Sequence, residues 1–180
     1  MKKTVVTFCV VVLVIGATFL TGCTGGFINR NSSDSFQSLV SGPSMMPTVH
    51  NGATITVRRN QTPTHNDLVV HRLFDNGEYM YLLKRVIAIG GDTITFVSAG
   101  NDHHYIYLNG TRLIEDFLGA TTYAVPLVSM PFIISRGFTI TIPHGSIFVI
   151  GDNRPISLDS RSYGYICTCL VLGVVTNIRN

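Results

Sequence analysis

The most informative run of this sequence is Tyr81-Leu82-Leu83-Lys84-Arg85-Val86-Ile87-Ala88-Ile89-Gly90-Gly91-Asp92. Apolar residues, many of them β-branched, flank a single basic pair, and a Gly-Gly-Asp turn ends the run. An apolar run of this length that stops at turn residues predicts a buried strand. It also sets Lys84 among apolar neighbours, where an ammonium group is disfavoured relative to a neutral amine.

Further short runs of Val, Ile, Thr and Tyr lie on both sides of this strand. They are separated by Asn-Gly, Gly-Gly-Asp and Pro-containing turns, which is typical of strands joined by hairpins. The predicted strands are Thr54–Val57, Leu68–Leu73, Tyr79–Ile89, Thr93–Val97, Tyr105–Leu108, Phe138–Ile142, Ser146–Ile150 and Leu170–Ile178. The prediction is a mainly β fold of folded antiparallel sheets, barrel-like in form, with residues 98–135 as an excursion from the core.

The N-terminal segment has a different character. Lys2 and Lys3 precede a stretch from Thr4 to Asn29 that has no charged residue. About 20 apolar residues in a helix span the ~30 Å hydrocarbon core, and flanking lysines stay on the cytoplasmic side. This predicts one transmembrane helix over residues 1–25 with a cytoplasmic N-terminus, a polar linker over 26–38, and an extracytoplasmic domain over 39–180.

Two alternatives compete with a retained anchor. A cleavable secretory signal has the same charged and apolar regions. In addition, Leu20-Thr21-Gly22-Cys23 is similar to a lipoprotein signal, in which Cys23 is acylated and becomes the new N-terminus. All three interpretations place most of the chain outside the cytoplasm.

Composition restricts the partners. Only 13% of the residues are charged, against about 25% in an average soluble domain. Without Lys2 and Lys3 the charges nearly balance, so no cationic surface for nucleic acid is predicted. Cys167 and Cys169 are expected side by side on one strand face, as small buried hydrophobic residues rather than a disulfide. No zinc spacing is present, so neither metal nor cofactor is predicted.

Three segments carry candidate chemistry: residues 41–48 around Ser44, residues 81–92 around Lys84, and residues 151–164. A serine on a tight turn is a nucleophile if a base lies within hydrogen-bond reach, and a neutral lysine amine can be that base. No histidine in these segments is placed for a Ser-His-Asp triad. From the residues alone a Ser/Lys dyad is one interpretation, while turn, surface-lysine and ion-pair roles stay open.

In this order the three segments resemble the signature boxes of type I signal peptidases. Gly42–Thr48 is similar to Gly-x-Ser-Met-x-Pro-Thr, Lys84–Asp92 to Lys-Arg-Val-Ile-x-x-x-Gly-Asp, and Gly151–Gly164 to Gly-Asp-Asn-Arg-x-x-Ser-x-Asp-Ser-Arg-x-x-Gly. The single anchor, the short chain and the spacing of the first two boxes resemble the Gram-positive subgroup of this serine peptidase family, S26.

The resemblance implies a role for each matched position. Ser44 is the expected nucleophile and Lys84 the general base, with Ser157 orienting the Lys84 amine. The same resemblance implies three supporting residues around them, of which two form an ion pair and the third acts with Arg154: Asp159, Arg161 and Asp152.

The remaining implied positions concern the oxyanion and the substrate. The Ser44 backbone N–H is the expected oxyanion donor, and Gly42 stands where some members carry a hydroxyl. Shallow apolar pockets for the substrate are expected near three residues, Val40, Met45 and Leu83. His71 departs from the family pattern, which has an aromatic or aliphatic residue there.

The implied function is an endopeptidase that removes signal peptides from secretory preproteins after small residues at positions −1 and −3, through an acyl-enzyme. The expected partners are preproteins emerging from the translocase and membrane lipid, and the expected state is a monomer without cofactor. Two alternatives remain: a specialised processing peptidase with the same dyad, and a surface lipoprotein acylated at Cys23 that has a non-catalytic binding role.

Overall fold

The computed structural model of the chain describes residues 11–12, 34–75, 77–100, 103–116, 118, 125–126 and 138–180. A short helix, α1 (Ser160–Tyr163), and a 3-10 turn (Thr168–Leu170) accompany the strands of these residues. The strands are β1 (Val11–Val12), β2 (Ser35–Val40), β3 (Thr54–Arg58), β4 (Leu68–Asp75), β5 (Glu78–Ile89), β6 (Thr93–Gly100), β7 (His103–Leu108), β8 (Thr111–Arg112), β9 (Val125–Pro126), β10 (Thr139–Thr141), β11 (Ser146–Ile150), β12 (Ile166–Cys167) and β13 (Val171–Arg179).

The described strands form two antiparallel sheets. The larger has eight strands in the order β1-β2-β3-β13-β4-β5-β11-β12, and the smaller has β10-β6-β7-β8, with β9 also pairing with β7. The mainly β, antiparallel prediction is confirmed. The barrel-like closure is wrong for the described residues, because the larger sheet is an open path that ends at β1 and β12 rather than a ring. The smaller sheet includes the described strands of the predicted excursion, β7, β8 and β9.

The β4–β5 hairpin contains Lys84 and the apolar residues on both sides of it. Its register is unbroken, with Val69 opposite Lys84 and His71 opposite Leu82. Because side chains alternate along a strand, these four residues share one face of the hairpin, and Leu83 points to the other. The predicted strand from Tyr79 to Ile89 is therefore present, and it places Lys84 on a defined face.

Apolar side chains bury both faces of the larger sheet. One cluster lies around Val40, Met45 and Leu83, and another around Val69 and Val86. A third cluster joins the two sheets, since it draws on β5 and β11 and on the smaller sheet. Its buried members are Ile87, Ala88, Ile94, Phe96, Ile106, Ile140, Ile142, Phe148 and Ile150.

Two sequence predictions need correction. Residues 35–38 of the predicted linker belong to β2, where Ser38 and Val40 alternate into the interior. Cys167 and Cys169 are exposed and joined as a disulfide, with their Cα atoms 5.2 Å apart. The reason is that the strand ends at Cys167 and a 3-10 turn follows, which brings the two side chains together.

Most of the predicted membrane anchor and Cys23 lie outside the described residues. Of the segment 1–25, the structure describes Val11–Val12 as strand β1, with Val11 opposite Val40 and Val12 opposite Leu39. None of the helices in the described parts of the chain has the length and hydrophobicity that crossing a bilayer requires.

Candidate active site

Ser44 and Lys84 lie next to each other inside the protein. The Lys84 Nζ atom donates to Ser44 Oγ over 2.8 Å and to the Leu83 carbonyl oxygen over 2.9 Å. Ser44 is 2% exposed and Lys84 is 1% exposed. Burial disfavours the ammonium form, so the pair has the geometry of a nucleophile with its general base.

The turn that carries Ser44 follows β2 and is fixed by the chain after β11. Asn153 donates its backbone N–H to the Ser44 carbonyl over 3.0 Å and its side-chain amide to the Pro43 carbonyl over 3.1 Å. Gly151 makes this approach possible, because a Cβ there would lie 2.7 Å from the Ser44 carbonyl oxygen and 2.1 Å from Ser157 Oγ. The position of the nucleophile therefore depends on the loop of residues 151–159, which we call the support loop.

Asp159 and Arg161 hold the far end of the support loop. The Arg161 guanidinium donates to both Asp159 carboxylate oxygens, over 2.7 and 2.8 Å, and both side chains are fully buried. Asp159 also accepts the Gly151 N–H and caps α1 through the Arg161 N–H. Burial raises the pKa of Asp159, but the Arg161 charge and these hydrogen bonds outweigh it and hold the pKa below its usual range.

Two buried ion pairs anchor the rest of the support loop. Asp152 receives two hydrogen bonds from Arg85, over 2.8 and 2.7 Å, and another from the Thr48 hydroxyl. Arg154 forms a bidentate pair with Glu115, from the segment after β8. Asp152 and Arg154 thus support the loop through separate partners. Sequence reasoning missed both partners, and for Glu115 the sequence offers no signal.

Two other predicted positions differ from the expectation. Ser157 Oγ is buried and has no hydrogen-bond partner among the described residues, so the expected bond to Lys84 is absent from this structure. Gly42, in the left-handed region at φ 97°, donates its N–H to Asn51 Oδ1 over 2.8 Å. That bond directs the Gly42 amide toward Asn51 rather than toward an oxyanion site.

The three predicted substrate residues come together but are closed off. Val40, Met45 and Leu83 belong to one apolar cluster, and none is more than 1% exposed. They therefore form packed interior beside the dyad rather than open pockets. Among the described residues, no group of three or more His, Cys, Asp or Glu side chains is placed to hold a metal ion.

His71 is a further buried polar side chain close to the dyad. It is fully buried, and its Nε2 lies 3.3 Å from the Tyr163 hydroxyl. Burial and, second, the Lys84 charge lower the pKa of His71 to about 4, against smaller raising effects of the Arg72 carbonyl and Asp159. The imidazole is therefore neutral at neutral pH.

The fold is antiparallel β, and it buries a serine that is hydrogen-bonded to a lysine. This combination defines a class of serine endopeptidases. Residues 2–178 match the family described as "Signal peptidase, peptidase S26", and the chain belongs to this family. It is a hydrolase of the type that removes signal peptides.

Two Bacillus relatives agree with this assignment. The chain is 31% identical over 148 residues to signal peptidase I V of Bacillus subtilis, covering 77% of this chain and 82% of that protein. It is 32% identical over 128 residues to signal peptidase I S of the same organism, covering 69% and 65%. A solved signal peptidase I from Enterococcus faecalis is 28% identical, with a TM-score of 0.47, covering 64% of this chain and 98% of that one.

Proposed function

We propose that Ser44 attacks the carbonyl carbon after a small residue at position −1 of a secretory preprotein, with Lys84 as the general base. The single observation that carries this proposal is the 2.8 Å contact between Lys84 Nζ and Ser44 Oγ in a water-poor setting. A neutral amine takes the hydroxyl proton as the C–O bond forms and returns it to the leaving amine. Water then releases the acyl group from Ser44.

Electrostatic support for the tetrahedral intermediate is proposed to come from the Ser44 backbone N–H. The support loop keeps that amide in place, because Asn153 and Gly151 fix the carbonyl side of the same residue. Ser157 is proposed to support the nucleophile turn by packing, because its buried side chain lies where a Cβ on Gly151 would be.

The substrate is proposed to bind as an added strand along the edge of β2. This is supported by Val11–Val12, a two-residue segment that pairs with Leu39–Val40 and also contacts β5. The edge of β2 thus accepts an extended backbone a few residues before Ser44. Small side chains at −1 and −3 fit this proposal, because the neighbouring Val40, Met45 and Leu83 fill the available interior.

The proposed location is the plasma membrane, with a single anchor over residues 1–25 and the catalytic domain outside the cell. In that anchored form Val11–Val12 would belong to the membrane segment and leave the edge of β2, which they occupy in the structure, open to substrate. Support comes from Lys2, Lys3 and the uncharged stretch that follows. Membrane lipid and preproteins leaving the translocase are the proposed partners of a monomer. Intact-mass measurement of the membrane form separates a retained anchor from acylation at Cys23, which would remove residues 1–22 and add a diacylglyceryl group.

The test is cleavage of a preprotein with an Ala-x-Ala site by the full-length chain in detergent. We expect Ser44→Ala and Lys84→Met to lose at least about a thousandfold in kcat/KM, since each removes an essential part of the dyad. Ser35→Ala and Arg72→Met are matched controls on β2 and β4, away from the dyad, and should retain activity. Full activity in either dyad variant would exclude the proposed mechanism.

A further inference from the structure

His71 shares one face of the β4–β5 hairpin with the proposed general base. It lies two residues after Val69, which is directly opposite Lys84. His71 and Lys84 are therefore diagonal neighbours across the strands, a relation that separates Cα atoms by about 7–8 Å and lets long side chains interact. Both side chains are buried, so no solvent layer screens the interaction between them.

The Tyr163 hydroxyl determines which ring nitrogen of His71 carries the proton. Burial and, second, the Asp159 charge raise the pKa of Tyr163 well above 10, against a lowering effect of Arg161, so the hydroxyl keeps its proton. The Tyr163 O–H can then donate to His71 Nε2 over 3.3 Å. This assigns the ring proton of the neutral imidazole to Nδ1, which lies 3.4 Å from the Arg72 carbonyl oxygen.

The charged and titratable groups that face the ring come from three elements. Lys84 faces it from β5, Tyr163 from α1, and Asp159 from the support loop, where Arg161 neutralises the carboxylate. Electrostatic coupling between two titrating groups is mutual, so whatever stands at position 71 also affects the proton affinity of the Lys84 amine. A hydrocarbon side chain at position 71 would make the surroundings of the Lys84 amine less polar, and less polar surroundings disfavour the ammonium form.

We propose that His71 is a positioning residue of the dyad, whose neutral, Tyr163-bound imidazole sets the pH at which Lys84 becomes a base. This inference rests on the proposed role of Lys84 as the general base. It gives a physical function to the position at which the sequence departs from the family pattern. With an apolar residue there, the Lys84 amine would lose its proton at a lower pH.

The test is the pH dependence of kcat/KM for preprotein cleavage by the full-length chain in detergent. The acidic limb of that profile reports the base of the free enzyme. We expect the limb of His71→Phe to move to lower pH by at least about half a unit, roughly a threefold change in the acid dissociation constant. His71→Gln, whose amide oxygen can accept from Tyr163, should bring the limb back toward its original position.

His104→Phe is the matched control, because His104 is a buried histidine in the smaller sheet, stacked on Phe138 at 5.1 Å. The acidic limb of the His104→Phe profile should coincide with that of the unmodified chain. An unmoved limb in His71→Phe, or an equal movement in His104→Phe, would overturn the inference. A merely structural role of His71 would lower activity across the whole profile without moving the limb.

A second measurement covers the case in which His71→Phe does not fold. The His71 ring is titrated by NMR in the unmodified chain and in Lys84→Met, and its midpoint should rise when the Lys84 charge is removed. An unchanged midpoint would contradict the coupling. This readout needs no activity, so failure of the Ser44–Lys84 mechanism and failure of the His71–Lys84 coupling remain distinguishable.

Discussion

The two sheets of this protein bury different kinds of side chain. In the smaller sheet the buried residues of the described strands are apolar apart from His104. In the larger sheet and its loops, the dyad is surrounded by buried polar and charged residues. They are His71, Arg85, Asp152, Arg154, Ser157, Asp159, Ser160 and Arg161.

This contrast shows that the protein buries charged side chains mainly around the dyad. A buried ion needs a partner with good geometry, because taking it out of water costs several kcal/mol. Around the dyad each described acid has such a partner, and the Glu115–Arg154 pair connects the segment after β8 to the support loop. The smaller sheet thus contributes one charged anchor to the catalytic region and otherwise packs through hydrophobic contacts.

Outside the dyad, the largest expected effect is that of Gly151→Ala. The added methyl would lie 2.7 Å from the Ser44 carbonyl oxygen, so the nucleophile turn would have to move. A displacement of about 1 Å at a reacting group can lower the rate on the order of a hundredfold. Steady-state cleavage by the full-length chain measures this loss.

Gly110→Ala is the counterpart in the smaller sheet. Gly110 has a positive φ of 81° and no atom near its added Cβ, so the change strains the backbone without a clash. We expect a loss of about 1 kcal/mol in unfolding free energy and unchanged kcat/KM. An equal loss of kcat/KM in Gly151→Ala and Gly110→Ala would contradict the expectation that only the larger sheet positions the catalytic residues.

The second expected effect is that of Arg154→Met, which leaves Glu115 buried without its cation. Breaking a buried pair in this way costs about 3–5 kcal/mol, measured as the unfolding free energy in urea. Arg154→Met combined with Glu115→Leu should recover most of that loss. Asp116→Asn, an exposed neighbour of Glu115, is the control and should change stability little. A loss below 1 kcal/mol in Arg154→Met would mean that the anchor between the regions is weak.

The third effect is a pH dependence of stability that comes from His71. Its pKa is about 4 in the folded chain and 6.5 when unfolded, so the unfolded state binds more protons between these values. The contribution of neutral His71 is therefore complete above pH 6.5 and is lost as the pH falls toward 4. The shift corresponds to a loss of about 3 kcal/mol. His71→Phe should flatten the stability profile in this window, and an unchanged slope would contradict the assignment.

The smallest effect concerns the contact between His65 and Asp92 at the end of the β5–β6 turn. His65 Nε2 lies 2.6 Å from Asp92, but the His65 side chain is 40% exposed. Pairs this exposed contribute at most about 1 kcal/mol. His65→Ala should therefore destabilise the chain far less than Arg154→Met in the same urea experiment. If His65→Ala lowered the unfolding free energy as much as Arg154→Met, solvent exposure would not explain the difference between the exposed and the buried pair.

The local sequence pattern predicts most of the strands. The features that it does not predict depend on contacts between residues far apart in the chain. The run around Lys84 and the Asn-Gly turns predict strands directly, because side-chain alternation and turn residues are local properties. β2 is not among the predicted strands, since three of its six residues are polar and its burial comes from pairing with β3. The proximity of Ser44 and Lys84 came from family resemblance. Glu115 could not be linked to Arg154, because 39 positions separate them and no local pattern marks the pair.

Covalent catalysis at Ser44 depends on the Lys84 amine, and acid quenching during preprotein cleavage tests this dependence most directly. Peptide mapping of the quenched full-length chain should locate an acyl group, attached through the small residue at −1, on the Ser44 hydroxyl. Lys84→Met should show no such adduct at the same time points, because no base removes the hydroxyl proton. An adduct on another residue, or one that forms equally fast in Lys84→Met, would contradict the account.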